Sequence, residues 1–166
     1  MRTLIQVLVI LFFVSWNSVF AADIATNAPT IRPLTAADAR ALFAQRPEKP
    51  RVIASWSIDC AYCHQNLKTL ADEAKKRRSF ELILVAIEPI ESAATLASLQ
   101  KKLAGRKFTS YAVADATMEQ FRYAIDPAWA GEMPRTWFIG ADGSRQSYSG
   151  VVKGDLLSSW LSKPRR

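Results

Sequence analysis

Two apolar segments of strand character, residues 51–57 (RVIASWS) and 80–87 (FELILVAI), bracket a stretch whose apolar residues recur at helical spacing. Cys63, Leu67, Leu70 and Ala74 stand four, three and four residues apart, so a helix from about residue 60 to 78 carries them on one face. A nearly continuous apolar run such as FELILVAI suits a central strand buried on both faces. Strand, helix, strand in that order implies a right-handed parallel crossover with the helix packed on the sheet.

The rest of the chain extends this unit. Thr35 reads as the N-cap of a short helix over 36–45, and Pro47 and Pro50 bound the loop after it. Ser92 can cap a helix whose stripe is Leu96, Leu99 and Leu103 and whose end is Gly105. A short strand over 111–114, a helix over 116–124 and an irregular loop over 126–133 lead to Pro134. Residues 135–139 (RTWFI), a turn at 141–144 and a return over 145–149 give a hairpin signal. The last helix, 153–162, buries Leu156, Leu157, Trp160 and Leu161. The expected class is α/β: a mixed central sheet, helices on both faces, and an extra helix at the N-terminal end.

A chain of 166 residues that is 49% hydrophobic and 22% charged suits one globular domain. Its first residues read as an export signal. Arg2 precedes an apolar run over 4–14, and residues 19–21 (Val-Phe-Ala) end in small residues. The expected division is a signal peptide at 1–21, a flexible lead-in at 22–34 and the folded domain at 35–166. The alternative is an N-terminal membrane anchor. The apolar core is too short to span a bilayer unaided, so the mature form is expected not to cross a membrane. Export implies a periplasmic or otherwise extracytoplasmic protein. Loss of Arg2 lowers the net charge from +7 to +6. The one dense basic run, Lys75-Lys76-Arg77-Arg78, lies at a helix end, where cations complement the dipole. It lacks interleaved aromatics, so no nucleic-acid partner is expected.

Both cysteines and the single histidine fall in one run, Cys60-Ala61-Tyr62-Cys63-His64, where strand hands over to helix. A disulfide between residues three apart closes almost no loop, so the spacing suits chemistry better than stapling. The thiolate is the reactive form of cysteine. The first turn of a helix offers unpaired N–H groups and partial positive charge, both of which favour a thiolate at Cys60. The dipole contributes about 0.3–1 kcal/mol, up to ~2 when partly buried. At 1.36 kcal/mol per pKa unit, direct hydrogen bonds must supply the rest. Cys63 shares the inward stripe of Leu67 and Leu70, so Cys60 is the attacking thiol and Cys63 the resolving one. His64, four residues after Cys60, lies on the same helical face and stabilises the thiolate if protonated; Asp59 opposes it.

Zinc needs more ligands than two cysteines and one histidine supply. Cys60, Cys63 and His64 also fit the attachment motif for c-type haem, with Met133 available as a further ligand. Small c-type cytochromes are helical, whereas this chain carries several strand-type runs. The preferred reading calls for no metal and no cofactor.

These residues resemble the thioredoxin superfamily, and its exported TlpA/ResA-like branch in particular. The resemblance covers about residues 51–161. It is carried by Trp56 four residues before the first cysteine, by Cys60-Ala61-Tyr62-Cys63, and by Met133-Pro134-Arg135-Thr136-Trp137-Phe138-Ile139 followed by Asp142-Gly143. Tyr123 and Ile125 sit where the family has a short helix end. The resemblance implies a thioredoxin-like fold, a cis-proline at Pro134 opposite the cysteine pair, and a Met133 backbone that pairs with the substrate chain. Ala61 and Tyr62 join that substrate-facing surface, and Trp56 and His64 support it. The chain departs from the pattern where the family keeps acidic groups: Ala54 stands six residues before the first cysteine, and Asn66 and Lys68 stand three and five after the second. Glu88, at the end of the second strand run, is the candidate replacement, against a reading as a strand-end charge facing solvent. Tyr62 and His64 are similar to the DsbC/DsbG-like branch.

The expected function is a periplasmic thiol–disulfide oxidoreductase, acting as reductant on exported protein thiols and disulfides and served by a membrane or periplasmic redox partner. A disulfide oxidase or isomerase of the same fold, a c-type haem protein, and a copper-handling module using the cysteines as ligands are the alternatives.

Overall fold

The computed structural model describes residues 29–105 and 108–163. The expected signal peptide and residues 22–28 of the expected lead-in lie outside these. In chain order the elements are β1 (Ile31–Leu34), α1 (Ala36–Ala44), β2 (Arg51–Trp56), α2 (Ala61–Lys76), β3 (Glu81–Pro89), a 3-10 turn (Ile90–Ser92), α3 (Ala93–Ala104), β4 (Thr109–Val113), α4 (Met118–Ile125), β5 (Arg135–Ile139), β6 (Arg145–Ser149) and α5 (Gly154–Ser162). The strands form one sheet in the order β1-β4-β3-β2-β5-β6. β1, β4, β3 and β2 run parallel, β5 runs antiparallel to β2, and β6 runs antiparallel to β5, as the hairpin signal predicts.

Residues 31–34 correct the sequence reading. The lead-in was expected to run to 34, with the domain starting at 35, yet β1 pairs with β4 from Ile31 opposite Ser110 to Leu34 opposite Val113. A four-residue strand containing Arg32 and Pro33 carries almost no local signal. It exists because β4 offers an open edge, and an edge position tolerates proline.

Strand alternation sorts the core into two layers. Val52, Ala54 and Trp56 of β2 and Leu82, Leu84 and Ala86 of β3 face α2, α3 and α5, where they meet Cys63, Leu67, Leu70, Leu96, Leu157 and Trp160. Ile53 of β2 and Ile83 and Val85 of β3 face the other way, onto Ala39 and Phe43 of α1 and Phe121 of α4. Burying each large aliphatic side chain contributes about 1.5–3 kcal/mol. β2 is buried along its whole length, so its C-terminal end is a rigid edge from which a loop can project.

The caps refine the expected boundaries. Thr35 Oγ1 accepts from the Asp38 N–H, as its N-cap reading predicts. Ser92 makes no side-chain cap bond, because the 3-10 turn leads directly into α3. Gly105 ends α3 with a left-handed φ of 59°, a conformation that favours glycine. No helix among the described residues is long and apolar enough to cross a membrane.

Candidate active site

The site forms at the C-terminal end of β2. After Trp56 the chain turns through residues 57–60, with the Cys60 N–H reaching the Ser57 carbonyl at 3.4 Å. Cys60 is the N-cap of α2: its backbone is extended and its Sγ accepts from the Cys63 N–H at 3.1 Å. A sulfur there meets both the open N–H groups and the positive end of the dipole. Cys60 and Cys63 are joined by a disulfide. Cys60 is partly exposed, whereas Cys63 is 0% exposed and lies in the core beside Trp56, Leu67 and Leu70. The first cysteine is partly open to solvent and the second is shielded.

The flanking residues divide. Ala61 is exposed, and Tyr62 is 69% exposed between the cysteines. Trp56 is fully buried, with its indole N–H unpartnered among the described residues. His64 is partly buried, and its Nε2 is enclosed without a hydrogen-bond partner among the described residues.

The second half of the site is the loop before β5. The Met133–Pro134 peptide bond is cis. Pro134 is buried and its carbonyl accepts from the Gly150 N–H at 2.8 Å. Ser55 Oγ donates to the Arg135 carbonyl and accepts the Arg135 N–H, at 3.0 and 2.9 Å. Its hydroxyl thereby extends the β2–β5 pairing one step past the last rung, Ala54 opposite Thr136. Met133 packs between both core layers, and its backbone N–H and carbonyl have no partner among the described residues.

Arg135 is the hub of this loop. Its guanidinium donates to Asp126 Oδ2, Glu132 Oε1, Ser147 Oγ and Ser149 Oγ at 2.7–2.9 Å. Trp137 Nε1 donates to the same Asp126 oxygen, and Trp129 Nε1 to the Glu132 carbonyl. Trp137 meets Phe43 and Trp129 edge-to-face, with ring centroids 5.0 and 5.2 Å apart. Burial raises the Asp126 carboxyl, but its bonds to Arg135 and Trp137 and the Arg135 charge outweigh it and hold the pKa below the ordinary value of 3.8. The Ser149 hydroxyl first, then the Glu132 backbone N–H, with the Arg135 charge a smaller contribution, hold the Glu132 carboxyl below its ordinary 4.5.

The positions where the resembling family keeps acids are occupied otherwise. Ala54 is core. Asn66 is 0% exposed and engaged at both ends of its amide: Nδ2 donates to Thr136 Oγ1 at 3.1 Å and Oδ1 accepts the Val152 N–H at 2.9 Å. Glu88 is not a solvent-facing strand end. Its Oε1 accepts the Ile58 N–H at 2.7 Å and its Oε2 is buried without a partner. Sequence reasoning missed Ser55, Asp126 and the hub role of Arg135. The available signals were a serine inside an apolar strand and, for Asn66, an amide on the buried face of α2.

The fold is shared with solved structures. The fold is thioredoxin-like. A secreted Mycobacterium tuberculosis disulfide oxidoreductase homologous to E. coli DsbE superposes with a TM-score of 0.56 at 20% identity, over 70% of this chain and 83% of that one. A thioredoxin-related protein from Neisseria meningitidis serogroup B gives 0.56 at 17%, over 69% and 84%. A DsbF homologue from Corynebacterium diphtheriae gives 0.54 at 15%, over 70% and 72%. No family model matches the sequence, and no curated protein does either. A thioredoxin-like sheet with its cysteines bonded to each other differs in architecture from the small helical cytochromes that the Cys-x-x-Cys-His run also allowed.

Proposed function

We propose that the protein is an exported thiol–disulfide oxidoreductase that reduces disulfides of exported proteins. The observation that carries this is the asymmetric pair: Cys60 partly exposed at the N-terminus of α2 with its Sγ 3.1 Å from an N–H, Cys63 fully enclosed behind it. The fold it shares with disulfide oxidoreductases supports the same chemistry. The export signal read at 1–21 supports a periplasmic or other extracytoplasmic location.

In the reduced protein the Cys60 thiolate attacks one sulfur of a substrate disulfide. The mixed disulfide forms and the first substrate thiolate leaves. The Cys63 thiolate then attacks the Cys60 sulfur, closing the intramolecular disulfide and releasing the second substrate thiolate. Two electrons pass to the substrate, and a membrane or periplasmic partner restores the dithiol. Exposed Ala61 and Tyr62 meet the substrate chain. The unpartnered backbone of Met133, held beside Pro134, supplies hydrogen bonds to it. Trp56 packs the floor of the site, and His64 supports the first turn of α2.

Equilibration of the pair with glutathione tests the direction. A potential near −270 mV, as in thioredoxin, fits a reductant. One near −120 mV would make the protein an oxidase instead. Failure to reduce insulin with dithiothreitol as electron source, at any pH, would sink the exchange reading.

A further inference from the structure

We infer that Glu88 is a positioning residue for the Cys60 thiolate, acting through the backbone N–H of Ile58. The role rests on the exchange chemistry above for its purpose, but its geometry stands alone. The β2–β3 ladder ends with Trp56 opposite Ala86. Two residues further along both chains, the Glu88 carboxylate accepts the Ile58 N–H at 2.7 Å, so a side chain supplies the rung that the backbone no longer makes. β3 shifts register against β4 between Ala86 and Pro89, at this same point. Ile58 lies two residues before Cys60, within about 7 Å along the chain. The loop's own closure is weak, a single 3.4 Å contact from the Cys60 N–H to the Ser57 carbonyl.

Two further observations point the same way. Glu88 Oε2 is buried without a partner among the described residues, a cost that a merely structural tether does not require. With Ala54 apolar and the Asn66 amide engaged at both ends, Glu88 is the acidic side chain hydrogen-bonded to the loop that carries Cys60. The N-cap geometry at residue 60, φ −97° and ψ 95°, brings Sγ to the Cys63 N–H. Anchoring Ile58 fixes that geometry. Releasing it withdraws the N–H and the dipole from the sulfur and raises the Cys60 thiol pKa. Removing a negative charge near the sulfur has the opposite sign, and this separates the two effects.

The test is the pH dependence of iodoacetamide alkylation of Cys60 in the reduced wild type, E88Q and E88D, with melting temperatures measured alongside. E88Q keeps an acceptor at the same reach without the charge, and E88D keeps the charge one methylene short. Asp59 and His64, the neighbouring charged and titratable groups, are present in both variants. E88Q is expected to keep the wild-type thiol pKa. E88D is expected to raise it by about one unit, a tenfold loss of thiolate below that pKa. A lowered pKa in E88Q beside a wild-type E88D, a rise in both, or no shift in either overturns the assignment. Alkylation reads the thiol whether or not the protein reduces any partner. A failed insulin assay therefore removes the exchange reading without touching this one.

Discussion

The loop that carries Cys60 and the loop that carries Pro134 meet at one end of the sheet, and they are held very differently. Residues 57–60 are held by the bond from the Ile58 N–H to Glu88, one long backbone contact, and, at Cys60 alone, the disulfide and the first-turn N–H bonds of α2. Residues 126–135 are gripped by the four-way Arg135 hub, two indole N–H bonds, the Ser55 hydroxyl and the Gly150 N–H. The difference follows from what each must do. The cysteine loop has to form and break an S–S bond and present a sulfur at varying bonding. In the proposed function the proline loop is a template, and a template that yields gives no register to the chain laid against it.

Four measurements can break or sharpen this contrast. The largest effect is on chemistry: Cys60→Ser drops disulfide reduction to the dithiothreitol background, while Cys63→Ser accumulates a mixed disulfide on Cys60, visible by mass spectrometry. Equal trapping by both variants would erase the division between an open and a shielded sulfur.

Asn66→Asp comes next, because it places a carboxylate where an amide now joins α2 to both β5 and Val152. Loss of the Nδ2 donor and burial of a charge should cost about 3 kcal/mol at pH 7, read by urea unfolding. Burial raises this carboxyl in the folded state, so the deficit should shrink as pH falls through that raised value.

Arg135→Ala strips the proline loop of its hub. The Arg135 and Asp126 side chains are 13% and 16% exposed, so the loss falls below that of a fully buried pair, at about 2 kcal/mol. Insulin reduction should fall while Cys60 alkylation stays unchanged. A change in alkylation would mean the two loops are not independent.

The smallest effect is the acid limb. Asp126 and Glu132 titrate below their ordinary values when folded. Their contribution to stability is therefore complete above the unfolded pKa of about 4 and is lost as pH falls through the still lower folded values. The melting temperature should hold from pH 7 to 5 and fall below pH 4. Asp126→Asn should flatten that limb by roughly a few degrees. An unchanged limb in the variant would place the acid-sensitive groups elsewhere.

What could be read in the sequence was whatever rests on local periodicity. The stripe of Cys63, Leu67 and Leu70 yielded α2, the FELILVAI run yielded β3, and the strand-to-helix handover put Cys60 at a helix start. What could not be read rests on partners far along the chain. β1 is four residues long and exists only against β4. Ser55 meets Arg135 80 residues away, and Asn66 meets Val152 86 residues away. Glu88 was singled out as a candidate, but its bond to Ile58 depends on where the β2–β3 ladder stops, which no spacing rule supplies. Asp126 and Arg135 converge because an irregular loop folds back on a hairpin, and loops carry no period.

The amide of Asn66 has a consequence for how the molecule announces its oxidation state. By welding the second turn of α2 to β5 and to the segment ahead of α5, it leaves the scaffold nothing to slide when the S–S bond opens. A partner that distinguishes the spent protein from the recharged one is then expected to read the tip of that helix, where the S–S bond lies, rather than the body anchored beneath it.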